Sequence, residues 1–188
     1  MKLIIARHGQ TQENIEGILQ GHLPGTLSKK GIRQANKLAE RLKKENIDHI
    51  YSSDLARAAD TAQIIAEFHP KVPLKFTEKL RERDAGELQG MNLKGRDWLI
   101  KDPVGGETVQ QLYDRANDFL NKIKENHPNQ TILLVCHGGI GKALYAAIKN
   151  QGTPHIKATH DLKNASITII KIEDDYEIIS FNDVEHLS

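Results

Sequence analysis

"TILLVCHGGIGKALYAAI", residues 131–148, decides the fold. Thr131 to Cys136 is a short, almost wholly apolar run, suited to a central strand with both faces covered. His137-Gly138-Gly139 interrupts it, and an alanine-rich apolar segment then enters a helix. Strand, polar break and helix are the repeating unit of an α/β sheet. The segment "GGIGKA" from Gly138 also resembles the tail of a phosphate-binding P-loop. A true P-loop needs a glycine five residues before Gly141 and Ser or Thr after Lys142. Cys136 and Ala143 stand there instead, which disfavours a nucleoside triphosphatase.

The same alternation extends outward from this stretch. Lys2 to Ala6 reads as a buried strand, ended by Gly9. Ser28 is placed to cap a helix reaching about Glu45, with Ile32, Ala35, Leu38, Ala39 and Leu42 at helical spacing. Asp48 to Ser52 is a second strand. Asp54 is expected to cap a helix whose buried stripe is Ala58, Ala59, Ala62, Ile65 and Ala66. Val72 to Thr77 is a third strand, with an edge that could pair between subunits. From Arg81 to Gly106 the pattern is irregular, with a short helix expected around Trp98. Glu107 to Asn126 is helical, and Ser166–Ile172 and Tyr176–Phe181 read as two strands turning at Asp174-Asp175. The expected fold is α/β: a three-layer sandwich with a mostly parallel central sheet, helices on both faces and a C-terminal antiparallel hairpin. It is expected as one domain over residues 1–188, with a short lid at about 86–106.

Composition narrows the function. Among 188 residues, 26 Lys plus Arg face 25 Asp plus Glu, a formal charge of +1. That balance argues against a nucleic-acid partner, and no apolar run approaches a membrane span. One cysteine, Cys136, rules out an internal disulfide framework and points to a reducing cytoplasm. The histidines outside the strand ends share no metal-ligand spacing, so neither metal nor cofactor is expected.

In parallel sheets, ligands bind beyond the carboxyl ends of the strands. Three such ends carry Arg7-His8-Gly9, Ser52-Ser53-Asp54 with Arg57 just inside the helix, and His137-Gly138-Gly139. Two histidines and two arginines from distant parts of the chain should therefore meet at one sheet edge, an arrangement suited to an anion.

"RHGQTQEN", "YSSDLARAADTA", "LRERDAGELQG" and "LLVCHGG" follow one another in the order and approximate spacing of the histidine phosphatase superfamily, which the chain resembles over its whole length. The resemblance implies that His8 is the nucleophile and becomes phosphohistidine. Arg7 and Arg57 would present planar donor forks to the phosphoryl oxygens. His137, as the second histidine, would stabilise the transferring group in its cationic form. Glu82 would act in turn as acid and base. For it to act as the acid, partial burial or the incoming dianion must keep a proton on it. Asn14 and Gln20 would add neutral donors, with Thr11, Gly21 and Gly138 as further substrate contacts.

The implied activity is metal-independent hydrolysis of a small phosphorylated metabolite. A cofactor-dependent phosphoglycerate mutase is the alternative, and a non-catalytic phosphoester-binding module is the other. Mutases of the family carry a long basic insertion after the acid/base motif. Here only "MNLKGRDWLIKDPVG" separates Gly90 from Gly106, which favours the phosphatase.

Overall fold

The structure, a computed structural model, describes residues 1–93 and 101–188. Six strands form one sheet: β1 (Lys2–Arg7), β2 (His49–Ser52), β3 (Leu74–Phe76), β4 (Thr131–Cys136), β5 (Ile167–Ile172) and β6 (Tyr176–Asp183). Their order is β3-β2-β4-β1-β5-β6. The β3-β2, β2-β4 and β4-β1 pairs are parallel, whereas β5 and β6 run antiparallel as a terminal hairpin. The helices are α1 (Gln12–Glu16), α2 (Lys29–Leu42), α3 (Ala56–Ala66), α4 (Val109–Asn126), α5 (Gly138–Ile148) and α6 (Gly152–Ala158).

Strand side chains alternate between two apolar layers, as the pleat requires. Leu3 and Ile5 of β1, with Ile132 and Leu134 of β4, pack with Leu112, Leu120 and Leu144 of α4 and α5. Ile4 and Ala6, with Leu133 and Val135, pack with Leu38, Leu42, Ala62 and Ile65 of α2 and α3. The expected three-layer sandwich is the observed one, and β4 is covered on both faces.

Several local expectations need correction. Ser28 does cap α2, accepting from the Gly31 N–H at 3.0 Å. Ile32, however, is 46% exposed, because the buried face starts one residue earlier at Gly31. A Cβ on Gly31 would lie 1.9 Å from the Gln10 carbonyl oxygen, so the backbone of the turn after β1 rests directly on α2. Asp54 does not cap α3. Leu55 holds that position without a side-chain bond, and Asp54 pairs instead with Arg81. The short helix expected around Trp98 lies outside the described residues. Helices α1 and α6 were not anticipated: α1 buries no residue, and α6 contains a glycine and a proline with little apolar repeat.

Candidate active site

Strands β1, β2 and β4 are parallel and adjacent, so their carboxyl ends share one edge. The register sets Arg7 beside Cys136, and the His8 N–H donates to the Cys136 carbonyl at 3.0 Å. His8 and His137 therefore leave neighbouring strands side by side, with ring centres 5.2 Å apart. Arg57 arrives from the first turn of α3, and Glu82 from the segment after β3.

His8 is buried, and its Nδ1 lies 2.7 Å from the Gly9 carbonyl oxygen. A carbonyl only accepts, so Nδ1 carries the proton and Nε2 keeps a free lone pair. The Gly9 N–H in turn donates to Thr61 Oγ1, which locks the turn. Burial, then the charges of Arg7 and Arg57, hold His8 well below the usual imidazole pKa. It is neutral at physiological pH. His137 is fully buried as well, and burial, then Arg57, His8 and Arg7, push its pKa in the same direction. The cationic His137 implied by the resemblance is thus corrected: burial disfavours its charged form, and the charges of Arg57, His8 and Arg7 push the same way.

Arg57 is 1% exposed and donates to the Leu23 and Gly21 carbonyls at 2.9 and 2.8 Å. Burial lowers its pKa to about 10, which still leaves it a cation at neutral pH. Arg7 donates to the Leu162 carbonyl. The Nε atoms of both arginines, and Nδ1 of His137, are buried and meet no acceptor among the described residues. Two buried guanidinium groups with unmet Nε donors beside neutral imidazoles suit an anion.

Glu82 is 8% exposed and sits against the start of α5. Its carboxylate accepts from the backbone N–H groups of Arg83, Gly139 and Ile140 at 2.8, 3.0 and 3.1 Å. Arg115 supports this segment from below, donating to the Lys79, Arg81 and Glu82 carbonyls. His22 Nε2 donates to the same Glu82 carbonyl at 2.8 Å.

A cavity of about 300 Å³ opens on this edge. Arg7, His8, Arg57 and Glu82 line it together with Asn14, Gln20 and Gly21. Ile18, Leu19 and Leu93 provide an apolar wall, and Asp161 a carboxylate. Thr11 is fully buried and does not line the cavity. It caps α1 through the Asn14 N–H and accepts from Gln20 Nε2. Gly138 lies close behind, where a Cβ would meet Arg7 Cζ and Glu82 Oε2 at 3.7 and 3.8 Å. Cys136 is buried and its thiol is pushed up to about 12 by burial, which suits inert packing. Sequence reasoning did not single out Asn164, whose Nδ2 donates to the His8 carbonyl and to Asn14 Oδ1. Nor did it identify Asp161, Arg115 or His22. These roles depend on partners many tens of residues away, so no local pattern marks them.

The carboxyl edge of this sheet gathers a neutral imidazole and two guanidinium groups around one cavity of an α/β sandwich, an arrangement suited to an anion. The chain belongs to the histidine phosphatase superfamily (branch 1), whose family profile matches residues 3–184. It is 36% identical over 205 residues to a metal-independent phosphoserine phosphatase of Arabidopsis thaliana, covering 100% of this chain and 83% of the relative. Among solved structures, a mycobacterial glucosyl-3-phosphoglycerate phosphatase bound to VO3 superposes with a TM-score of 0.89 at 28% identity, over 97% of this chain and 99% of that one. A phosphoserine phosphatase of Entamoeba histolytica, complexed with 3-phosphoglyceric acid, gives 0.86 at 29% identity over 100% and 99%.

Proposed function

We propose that this protein is a phosphomonoester phosphatase that hydrolyses a small phosphorylated metabolite without a metal ion, through phosphohistidine at His8. One observation carries this reading: the Nδ1–Gly9 bond leaves Nε2 of a neutral His8 free beside the unmet donors of Arg7 and Arg57.

In the first step Nε2 attacks phosphorus and the ester P–O bond breaks. Glu82 gives its proton to the departing alkoxide. In the second step Glu82 takes a proton from water, whose oxygen attacks the phosphohistidine. The N–P bond breaks, inorganic phosphate leaves and Glu82 is again protonated. Arg7, Arg57 and His137 stabilise the charge on the transferring group in both steps. Asn14, Gln20, Gly21 and Gly138 border the phosphate, while Thr11 acts through Gln20 and Asn14.

Residues 86–93 and 101–106 serve as a short cover within a single domain. Its described part pairs with residues 17–19, through Met91, Gly90 and Leu93. The leaving group meets the wall of Ile18, Leu19 and Leu93, so its size is limited by a small cavity. Phosphoserine and phosphoglycerate-type esters are the first candidates, since the relatives are named for such substrates. A free, buried cysteine suits a reducing compartment, and we place the enzyme in the cytoplasm.

Phosphate release from phosphoserine, 3-phosphoglycerate and para-nitrophenyl phosphate, with and without a chelator, tests the reading. Turnover unaffected by chelator and absent in His8→Ala is expected. With 3-phosphoglycerate and a trace of bisphosphate, phosphate release should outrun isomerisation. Faster formation of 2-phosphoglycerate would make the protein a mutase.

A further inference from the structure

Ser53 takes no part in the steps above, yet its side chain is fully buried against His137. Its Oγ lies 2.8 Å from His137 Nε2 and accepts from the Leu55 N–H at 3.2 Å. Among the described residues these are its two side-chain partners. The backbone is equally fixed. The Ser53 N–H donates to the Val135 carbonyl of β4 at 3.0 Å, and its own carbonyl accepts from Ser52 Oγ at 2.8 Å. The hydroxyl cannot drift away from the ring it faces.

A hydroxyl has one proton to give and two lone pairs to receive with. Suppose His137 carried its proton on Nε2. Ser53 Oγ would then accept from both Leu55 and His137, and its own proton would find no acceptor. His137 Nδ1, which has no partner among the described residues, would hold a lone pair with no donor. Two buried polar groups would stand unsatisfied. With the proton on Nδ1 instead, Ser53 accepts from Leu55 and donates to Nε2. Only one group is then unmet, the Nδ1–H, on a ring whose centre lies 5.2 Å from that of His8.

We infer that Ser53 is a positioning residue that fixes His137 as the Nδ1–H tautomer, so that a neutral ring donates a hydrogen bond to the transferring phosphoryl group. The donor role rests on the phosphatase reading; the tautomer does not. The two histidines of the site would then carry their proton on the same ring atom but present opposite faces. His8 ties its N–H to Gly9 and offers a lone pair, while His137 ties its lone pair to Ser53 and offers an N–H. Arginine charge at this edge makes a third cation expensive, and a neutral donor avoids that cost.

Two-bond proton–nitrogen correlation spectra of protein labelled with nitrogen-15 histidine read the tautomer directly. The His137 signals are assigned by their loss in His137→Gln. In the unliganded wild type at pH 8, His137 should show a protonated Nδ1 and a bare Nε2. Ser53→Ala should convert it, wholly or in part, to the Nε2–H form. The same variant should lower kcat by about 10²-fold with little change in KM, the loss expected for a misdirected transition-state donor. Ser53→Thr, which keeps the hydroxyl, should restore both the spectrum and most of kcat. A wild-type His137 protonated on Nε2, or on both nitrogens, would overturn the inference. So would a spectrum unchanged by Ser53→Ala. Because the wild-type spectrum needs no substrate, a protein showing the Nδ1–H form but no phosphate release would overturn the functional reading alone.

Discussion

His8 and His137 end adjacent parallel strands, one after Arg7 and the other after Cys136. Both are buried, both are held neutral, and burial is the leading cause for each. Their hydrogen-bond partners differ. His8 bonds to the carbonyl of the next residue, whereas His137 bonds to the hydroxyl of Ser53, the residue after β2. The carbonyl can only accept, so His8 keeps Nε2 bare, which suits the nucleophile's role proposed for it. The hydroxyl can donate, so in the inference above His137 keeps its proton on Nδ1. In that reading the group behind each ring decides which ring atom is offered to the substrate.

The comparison breaks first at the two rings themselves. His8→Ala should reduce kcat by roughly 10⁴-fold or more, because it removes the atom that bonds to phosphorus. His137→Ala should cost less, about 10²- to 10³-fold, the loss of one charge-stabilising donor. Both are measured as kcat on para-nitrophenyl phosphate, with circular dichroism to confirm folding. Equal losses would erase the distinction between nucleophile and donor.

Glu82→Gln sharpens it next. An acid matters most when the leaving group is a poor one. The variant should lose about 10²- to 10³-fold on an alkyl phosphate such as phosphoserine, and under about 10-fold on formation of the intermediate from para-nitrophenyl phosphate. A loss independent of the leaving group would remove Glu82 from the acid role.

The turn that carries His8 can be stressed without touching a reacting group. Gly31→Ala forces a Cβ against the Gln10 carbonyl. It should lower stability by about 1–3 kcal/mol in denaturant unfolding. Activity should fall with it, since Gln10 follows His8-Gly9 directly. An unchanged midpoint would mean that this turn can shift away from α2.

The smallest effect concerns pH. His8 and His137 have folded pKa values well below their unfolded ones, near 6.5, and His49, His69, His155 and His186 are lowered too. The unfolded chain therefore binds more protons as the pH falls through about 6.5. Stability contributed by the neutral rings is complete above that value and is lost progressively below it, toward the lowered folded values. Melting temperature should drop by a few degrees between pH 7 and 5.5. His137→Gln should show a shallower decline, since it deletes one such ring. A melting temperature that rose on acidification would reverse the assigned protonation states.

Much of this was legible in the chain. The strands around "LIIARHG" and "LLVCHGG" are apolar and short, and they end at glycine. The convergence of Arg7, His8, Arg57 and His137 followed from one topological rule about parallel sheets. The core faces of α2 and α4 followed from helical spacing, apart from Ile32, where Gly31 rather than an apolar residue starts the buried face. What stayed hidden shares a physical cause. Helix α1 is held by its Thr11 cap and by Gln20, not by a buried stripe, and so left no periodic trace. Asp54 looked like a cap because its type suits one, but Arg81 competes for it across 27 residues. His22, Arg115 and Asn164 act through backbone carbonyls of Glu82 and His8, and a carbonyl has no residue type to read. The neutrality of His137 needed its own complete burial beside Arg57 and Arg7 to be known, which a linear sequence does not contain.

The central claim is covalent: phosphorus passes through His8. Intact-protein mass spectrometry after rapid alkaline quenching measures it, since an N–P bond survives base and fails in acid. During turnover of para-nitrophenyl phosphate by Glu82→Gln, in which attack of water is slowed, one phosphoryl group per chain should accumulate and map to His8. The adduct should be absent when His8→Ala is added. A chain that turns over substrate with no phosphoryl group on His8, or carries it elsewhere, would contradict the account.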